Sequence, residues 1–354
     1  MRLINLYYTV KPLIPRAGHV ALRRAIAHRR RGRVSDDEWP VRKGSETPPP
    51  GWRGWPNGKQ FCLALTHDVE STIGRDQCLQ LAELETSKGF RSSFNFVPEG
   101  YETPQKLRDR LSEMGFEIGV HGLRHDGFLY RNRKTFQKRS RKINEYLKEW
   151  NCCGFRSPLM HYNLDWIGDL DLEYDASTFD TDPFEPQADG VGSIFPFLVR
   201  RSSDERGYIE LPYTMVQDST LFLFLQETSI EVWKRKLDWV ASKGGLAMLI
   251  THPDYMQFDP AKPQLKQYPV ELYGELLDYV EERYSGKYWA ALPREVAEFW
   301  RSKVNTRVFV PKLGLRDSFS AVLIGTESLL AHCGELLLEK GHRVVAVVST
   351  DLQI

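Results

Sequence analysis

FCLALTHDVE (61–70) is an apolar run that ends in a burst of polar and ionisable side chains. The run is strand-like in length and composition, and the tip Thr66, His67, Asp68 and Glu70 stands where the strand would end. Six further runs of the same kind follow it: SSFNFV (92–97), FEIGVH (116–121), CCGFR (152–156), YDAST (174–178), LAMLITH (246–252) and KYWAAL (287–292). Helix-period segments separate them. Thr103 with Pro104 marks a helix start, Leu107, Leu111 and Met114 share a face, and Gly115 stops it. In 133–150, Phe136, Ile143, Leu147 and Trp150 form an apolar stripe among basic residues. Seven units of strand then helix predict a barrel with outer, solvent-facing helices. The stretch 183–225 departs from the rhythm, because FPFLVRRS, YIELPY and LFLFLQ read as extra extended segments inserted before a helix over 229–243.

Outward from this region, SETPPPGWRGWPNGK (45–59) crowds Pro, Gly and Trp together and predicts a linker. The expected division is a basic extension and linker over 1–59, a barrel over 60–305 and an incomplete βαβ unit over 306–354. The chain has 354 residues with 48 Lys plus Arg against 47 Asp plus Glu. That near-neutral balance argues against a nucleic-acid partner, which needs a clustered basic surplus. The average conceals an asymmetry, since residues 1–34 hold nine basic residues and no acid, leaving 39 against 47 in the remainder. A helix from about Arg16 to Arg30 would carry this charge, with Val20, Ala21, Ala25 and Ile26 on one side. It would serve either for peripheral contact with an anionic membrane or for packing across the acidic remainder. No apolar run approaches the roughly eighteen residues of a membrane span, and no secretory signal pattern is seen. The five cysteines, Cys62, Cys78, Cys152, Cys153 and Cys333, include no CxxC and read as reduced core thiols. A cytoplasmic location is therefore expected.

The strand tips carry the candidate chemistry. Asp68 and Glu70 follow the first strand, His121 and His125 the third, Arg156 ends the fourth, Asp175 lies in the fifth and His252 ends the sixth. In barrels of this construction the site forms at the carboxyl ends of the strands, so these groups face one mouth. His121 and His125 have an HxxxH spacing that can chelate a divalent cation. Aromatics expected near the mouth are Trp52, Trp55, Phe128, Tyr130, Tyr162, Trp166, Phe179, Phe184 and Tyr255, where ring faces could stack on sugars or simply pack. TFDTDPFEPQ (178–187) would be a stiff rim loop able to contact substrate hydroxyls.

The ordered set THDVE (66–70), HGLRH (121–125), FRSP (155–158), YDAST (174–178) and LITHP (249–253) resembles the five motifs of the polysaccharide deacetylases, carbohydrate esterase family 4. The resemblance spans about residues 60–300 and implies an irregular (β/α)7 barrel. It implies a hydrolase that removes acetyl or other acyl groups from an amino sugar or saccharide with a divalent metal, zinc by preference. The family's first motif is commonly TFDDG, whose first Asp is the base and whose second is a metal ligand. Here Asp68 takes the base position, Val69 the usual ligand position, and Glu70 the place used by relatives with D-x-D. By the same resemblance, His121 and His125 are the histidine ligands, Arg156 orients the base, and His252 is the general acid with Asp175 favouring its imidazolium form. His67 has no place in this scheme and stands as either a supporting donor or a replacement ligand. Two other functions remain open: a metal-independent amidohydrolase on a non-sugar amide, and an inactive glycan-binding scaffold. The tail FSAVLIGTESLLAHCGELLLEKGHRVVAVVS (319–349) resembles the opening βαβ unit of a formyltransferase-type domain, with a turn at Gly325 and a helix capped at Gly341. It could recruit a formyltransferase-like partner.

Overall fold

The first apolar run forms β1 (Phe61–Val69), buried along its entire length in the computed structural model. The structure describes residues 16–185, 187, 190–200, 206–261, 266–303, 320–325 and 343–349. Strand β1 pairs in parallel with β8 (Leu246–Thr251), with β11 (Tyr288–Ala290) at its start and with β2 (Ser92–Phe96) at its end. From β2 the sheet continues in parallel through β3 (Glu117–His121), β4 (Gly154–Arg156), β5 (Tyr174–Asp175) and β7 (Tyr208–Glu210), and β6 (Phe197–Val199) closes antiparallel on β7. All seven expected strands are present. The gap back to β8 is bridged by 213–215: Tyr213 pairs with Phe179, and the backbone N–H groups of Thr214 and Met215 donate to the Met248 carbonyl. The sheet thus curls into the irregular (β/α) barrel that the strand rhythm implied.

Outer helices are α2 (Thr72–Ser87), α3 (Gln105–Glu113), α4 (Arg133–Glu149), the single turn α5 (Leu164–Ile167), α6 (Glu231–Lys243), α7 (Glu271–Tyr284) and α8 (Pro293–Lys303). Helix α4 buries Phe136, Ile143 and Leu147, the expected stripe, and its first turn is capped by Asn132, which accepts from the Thr135 N–H. Helix α3 begins at Gln105, one residue later than expected, with Pro104 rather than Thr103 at its cap. Two short strands, β9 (Met256–Gln257) and β10 (Tyr268–Pro269), pair separately beyond β8.

Within the insertion, FLV (197–199) and YIE (208–210) are extended, as β6 and β7. LFLFLQ is not: Ser219–Phe224 forms a π-type helical segment. A continuous apolar run has no periodicity of its own, so tertiary partners decide its conformation. Asp218 accepts the Ser219 N–H at 2.7 Å, and Phe222 packs against Trp233 and Tyr268.

The expected linker is part of the barrel's packing. Trp52 packs against Trp300 with ring centroids 4.7 Å apart and planes tilted by 35°, and the Trp55 indole donates to the Gly244 carbonyl at 2.8 Å. This pair therefore sits at the amino end of β8, opposite the mouth where it was expected. The basic leader forms α1 (Arg16–Arg31), which docks through its cations: Arg24 donates to the Leu223 carbonyl at 2.8 Å and Arg30 to that of Pro183 at 2.9 Å. Leu22 and Ile26 remain exposed.

The chain divides into two compact units, Met1–Pro311 and Lys312–Ile354. In the second, β12 (Ser320–Gly325) and β13 (Arg343–Ser349) pair in parallel. The expected helix between them, its cap at Gly341 and Cys333 lie outside the described residues. Cys62 and Cys78 are buried, Cys152 and Cys153 half-buried, and all four are free thiols. Among the described residues no helix is long and apolar enough to cross a membrane.

Candidate active site

Side chains alternate across a strand, so Thr66 and Asp68 face the barrel interior while His67 faces the helices. Asp68 Oδ1 accepts from Arg156 Nη1 at 3.0 Å and from Asn95 Nδ2 at 2.9 Å, and the same Nη1 donates to Thr66 Oγ1 at 2.8 Å. Asn95 lies directly across from Asp68 in the β1–β2 register. Burial would raise the Asp68 pKa, but Arg156, His121, His252 and Asn95 outweigh it and hold the carboxyl below its usual range. Arg156 is itself fixed to the Ala176 carbonyl at 2.9 Å, which makes it a rigid clamp on the carboxylate.

On the strand beside β1, His252 follows β8. Its Nδ1 lies 2.7 Å from Asp218 Oδ1, its N–H donates to Asp218 Oδ2 at 2.8 Å, and the Tyr268 hydroxyl also donates to Oδ2. Burial alone would depress the imidazole pKa. Asp218, helped by Glu70 and Asp68, reverses that and pushes it up to about 10, leaving His252 as an imidazolium at neutral pH.

Between these two pairs stand Glu70, His121 and His125. Their ligand atoms all lie within 4.8 Å of one another. His125 Nε2 is 3.0 Å from Glu70 Oε1, His252 Nε2 is 3.8 Å from the same oxygen, and the Tyr255 hydroxyl donates to Glu70 Oε2 at 2.8 Å. Burial keeps His121 deprotonated, with a pKa lowered to about 4 despite Asp68 nearby. Glu70 stays ionised because His125, His252 and His121 outweigh its desolvation. A carboxylate and a neutral imidazole are the protonation states that a divalent cation requires. Donors bound to a tetrahedral zinc ion at about 2.0–2.2 Å lie roughly 3.4 Å apart, so side-chain adjustments on the order of 1 Å would bring the three into a shared coordination sphere. The donor set fits a cation, and the longer Glu70 reaches the position that Val69 cannot serve. Gly122 in HGLRH turns the chain after β3 with φ of 64°, where a Cβ would collide with the Pro158 ring.

Asp175 does not contact His252. Its carboxylate accepts from the Ser177 hydroxyl at 2.6 Å, and the β5–β7 register sets it across from Glu210, which accepts from Thr178. The carboxylate partner of His252 is Asp218, 34 positions upstream on the segment that bridges the barrel, a place that no local motif marks. Tyr255 was expected at the mouth as an aromatic, and its hydroxyl proves to be the contact. His67 is not at the mouth. Fully buried, its Nδ1 lies 2.7 Å from Thr251 Oγ1 and its Nε2 2.7 Å from Glu85 Oε1, in the layer between sheet and helices. The acids of the expected rim loop are engaged internally: Asp180 pairs with Lys236, Asp182 accepts from the Tyr213 hydroxyl, and Glu185 accepts from Gln217.

No family model matches the chain, and no curated protein matches it in sequence. Solved structures do. A protein assigned as a polysaccharide deacetylase from Mycobacterium smegmatis is similar at 19% identity with a TM-score of 0.54, over 74% of this chain and 98% of that one. The PuuE allantoinase is similar at 14% identity and a TM-score of 0.54, over 76% and 98%. A protein assigned as a polysaccharide deacetylase from Pseudomonas aeruginosa PAO1 is similar at 15% identity and 0.52, over 73% and 95%. At these identities the likeness is one of fold. Nothing in these comparisons supports the formyltransferase-like reading of the tail.

Proposed function

We propose that the chain is a metal-dependent hydrolase that removes an acetyl or other acyl group from an amino sugar or saccharide. The observation that carries this reading is the opposed pair of proton-handling groups. Asp68 is clamped as a carboxylate by Arg156, His252 is held as an imidazolium by Asp218, and the donors Glu70, His121 and His125 stand between them. A divalent cation held by those three, zinc by preference, would polarise the acyl carbonyl and acidify a water molecule.

The chain's own groups divide the proton traffic. Ionised Asp68 accepts the proton of the attacking water at its Oδ2, since Oδ1 is occupied by Arg156 and Asn95. His252 donates from Nε2 to the departing amine or alcohol while Asp218 retains Nδ1. The free thiols fit a reducing, cytoplasmic setting.

Metal content and acetate release should be measured together for wild type, Glu70→Ala and His125→Ala on a panel of acetylated sugars. Wild type should hold about one equivalent of zinc, and both variants should lose it with at least ~100-fold of activity. Full activity in metal-free protein that still requires Asp68 would overturn metal dependence and favour metal-independent amide hydrolysis.

A further inference from the structure

Helix α1 is tied to two loops that reach the mouth. Arg24 and Arg30 are committed to the backbone carbonyls of Leu223 and Pro183. The first loop begins at Asp218, the partner of His252. The second carries Glu185, which accepts from Gln217, the residue before Asp218. Arg23 is used differently. Its guanidinium stacks over the Phe224 ring at 4.0 Å from the centroid, and it is exposed. Among the described residues no hydrogen bond or ion pair holds it.

A guanidinium stacked on a ring keeps its five N–H donors in its own plane, directed past the ring edge, where they can grip a planar or tetrahedral oxyanion bidentately. The surrounding groups place this cation at the site. Phe224 ends the helical segment that Asp218, the partner of His252, begins, and the same helix α1 reaches the carbonyl of Pro183, two residues before Glu185. Arg23 therefore stands on the Asp218 and His252 side of the mouth. Other charged groups on this side are spent: Glu185 on Gln217, Asp182 on Tyr213, and Asp218 on His252 and Tyr268.

Resting on the deacylase reading above, we propose that Arg23 selects the substrate, binding a phosphate or carboxylate carried by the same molecule that bears the acyl group. The basic leader then belongs to the site as its anion-reading wall, and the preferred substrate is an acidic or phosphorylated acyl amino sugar rather than a neutral one.

The test compares three probes on the full chain: N-acetylglucosamine, N-acetylglucosamine 1-phosphate and N-acetylmuramic acid, which add a phosphate and a carboxylate to one acyl amino sugar. Acetate release gives kcat/KM and calorimetry gives Kd. Wild type should favour one or both anionic probes, and Arg23→Ala should reduce the anionic-to-neutral ratio about 10–100-fold, the worth of a charge-assisted bidentate contact. Arg23→Lys should retain part of the preference. Comparing the two anionic probes identifies which oxyanion is read. An unchanged ratio in Arg23→Ala, including one accompanied only by a lower melting temperature, would show that the residue merely anchors α1 and would overturn the proposal. If no probe releases acetate, the deacylase reading fails, and the ratio of dissociation constants still decides whether Arg23 reads an anion.

Discussion

His252 shows how a single residue's role depends on a partner remote in sequence. Burial by itself would leave it a neutral imidazole, unable to protonate a leaving group. Asp218 reverses that balance and pushes the pKa up to about 10, so the acid form persists below that pH and is lost as pH rises through it. Asp218→Asn should lower kcat by roughly 10²–10⁴-fold with a smaller change in KM. It should also move the alkaline limb of the pH–rate profile to lower pH, because the raised pKa falls when the facing charge is removed. An unshifted alkaline limb would deny Asp218 this role. Asp68, Glu70, His121, His125, Arg156 and His252 were all legible, since each stands at or just past a strand end. Asp218 and Asn95 were not. Asn95 sits inside a strand with no motif around it, and only the β1–β2 register sets it across from Asp68. The strand-tip position of Asp175 suggests the mouth, whereas its side chain bonds to Ser177 and stands across from Glu210.

At the scale of elements, the junction of β1 and α2 carries Glu70 and is fixed by a residue from the turn after the neighbouring strand β8. The Asp254 carboxylate accepts from the Glu70 N–H at 2.9 Å, from the Ser71 hydroxyl and from the Gly74 N–H at 3.3 Å, satisfying donors at the start of α2. Gly74 leaves the space that this carboxylate occupies, and a Cβ there would collide with it. Gly74→Ala should therefore destabilise the fold by about 1–3 kcal/mol and weaken cation binding at Glu70. Denaturant unfolding with and without zinc would show both effects, and a neutral substitution would mean that Asp254 is not needed where it stands. The seven barrel strands were readable because each is a short apolar run with polar residues at its end. LFLFLQ has the same composition but is helical, since its conformation follows from the Asp218 cap and the Trp233 contact.

Across the whole molecule, the segment before β1 packs against the last described helix of the barrel unit, α8. Trp52 and Trp55 join Trp289, Phe299 and Trp300 in one aromatic cluster at the end of the barrel opposite the site. Trp55→Ala should cost about 3–5 kcal/mol, seen as a drop in melting temperature on the order of 10 °C, with KM unaffected at that distance from the mouth. A flexible linker would show no such loss. Local sequence was sufficient to determine the order of strands and helices, the barrel class and the collection of ionisable tips at one end. These follow from periodicity and from the geometry that places strand ends on one face. Only the tertiary structure decided which carboxylate holds His252, that His67 lies behind the sheet, and that the basic leader lies against the mouth. Those outcomes depend on pairings between segments distant in the chain. Their free energies come from burial and from the charges that burial brings together, and neither is set by the residues adjacent in sequence.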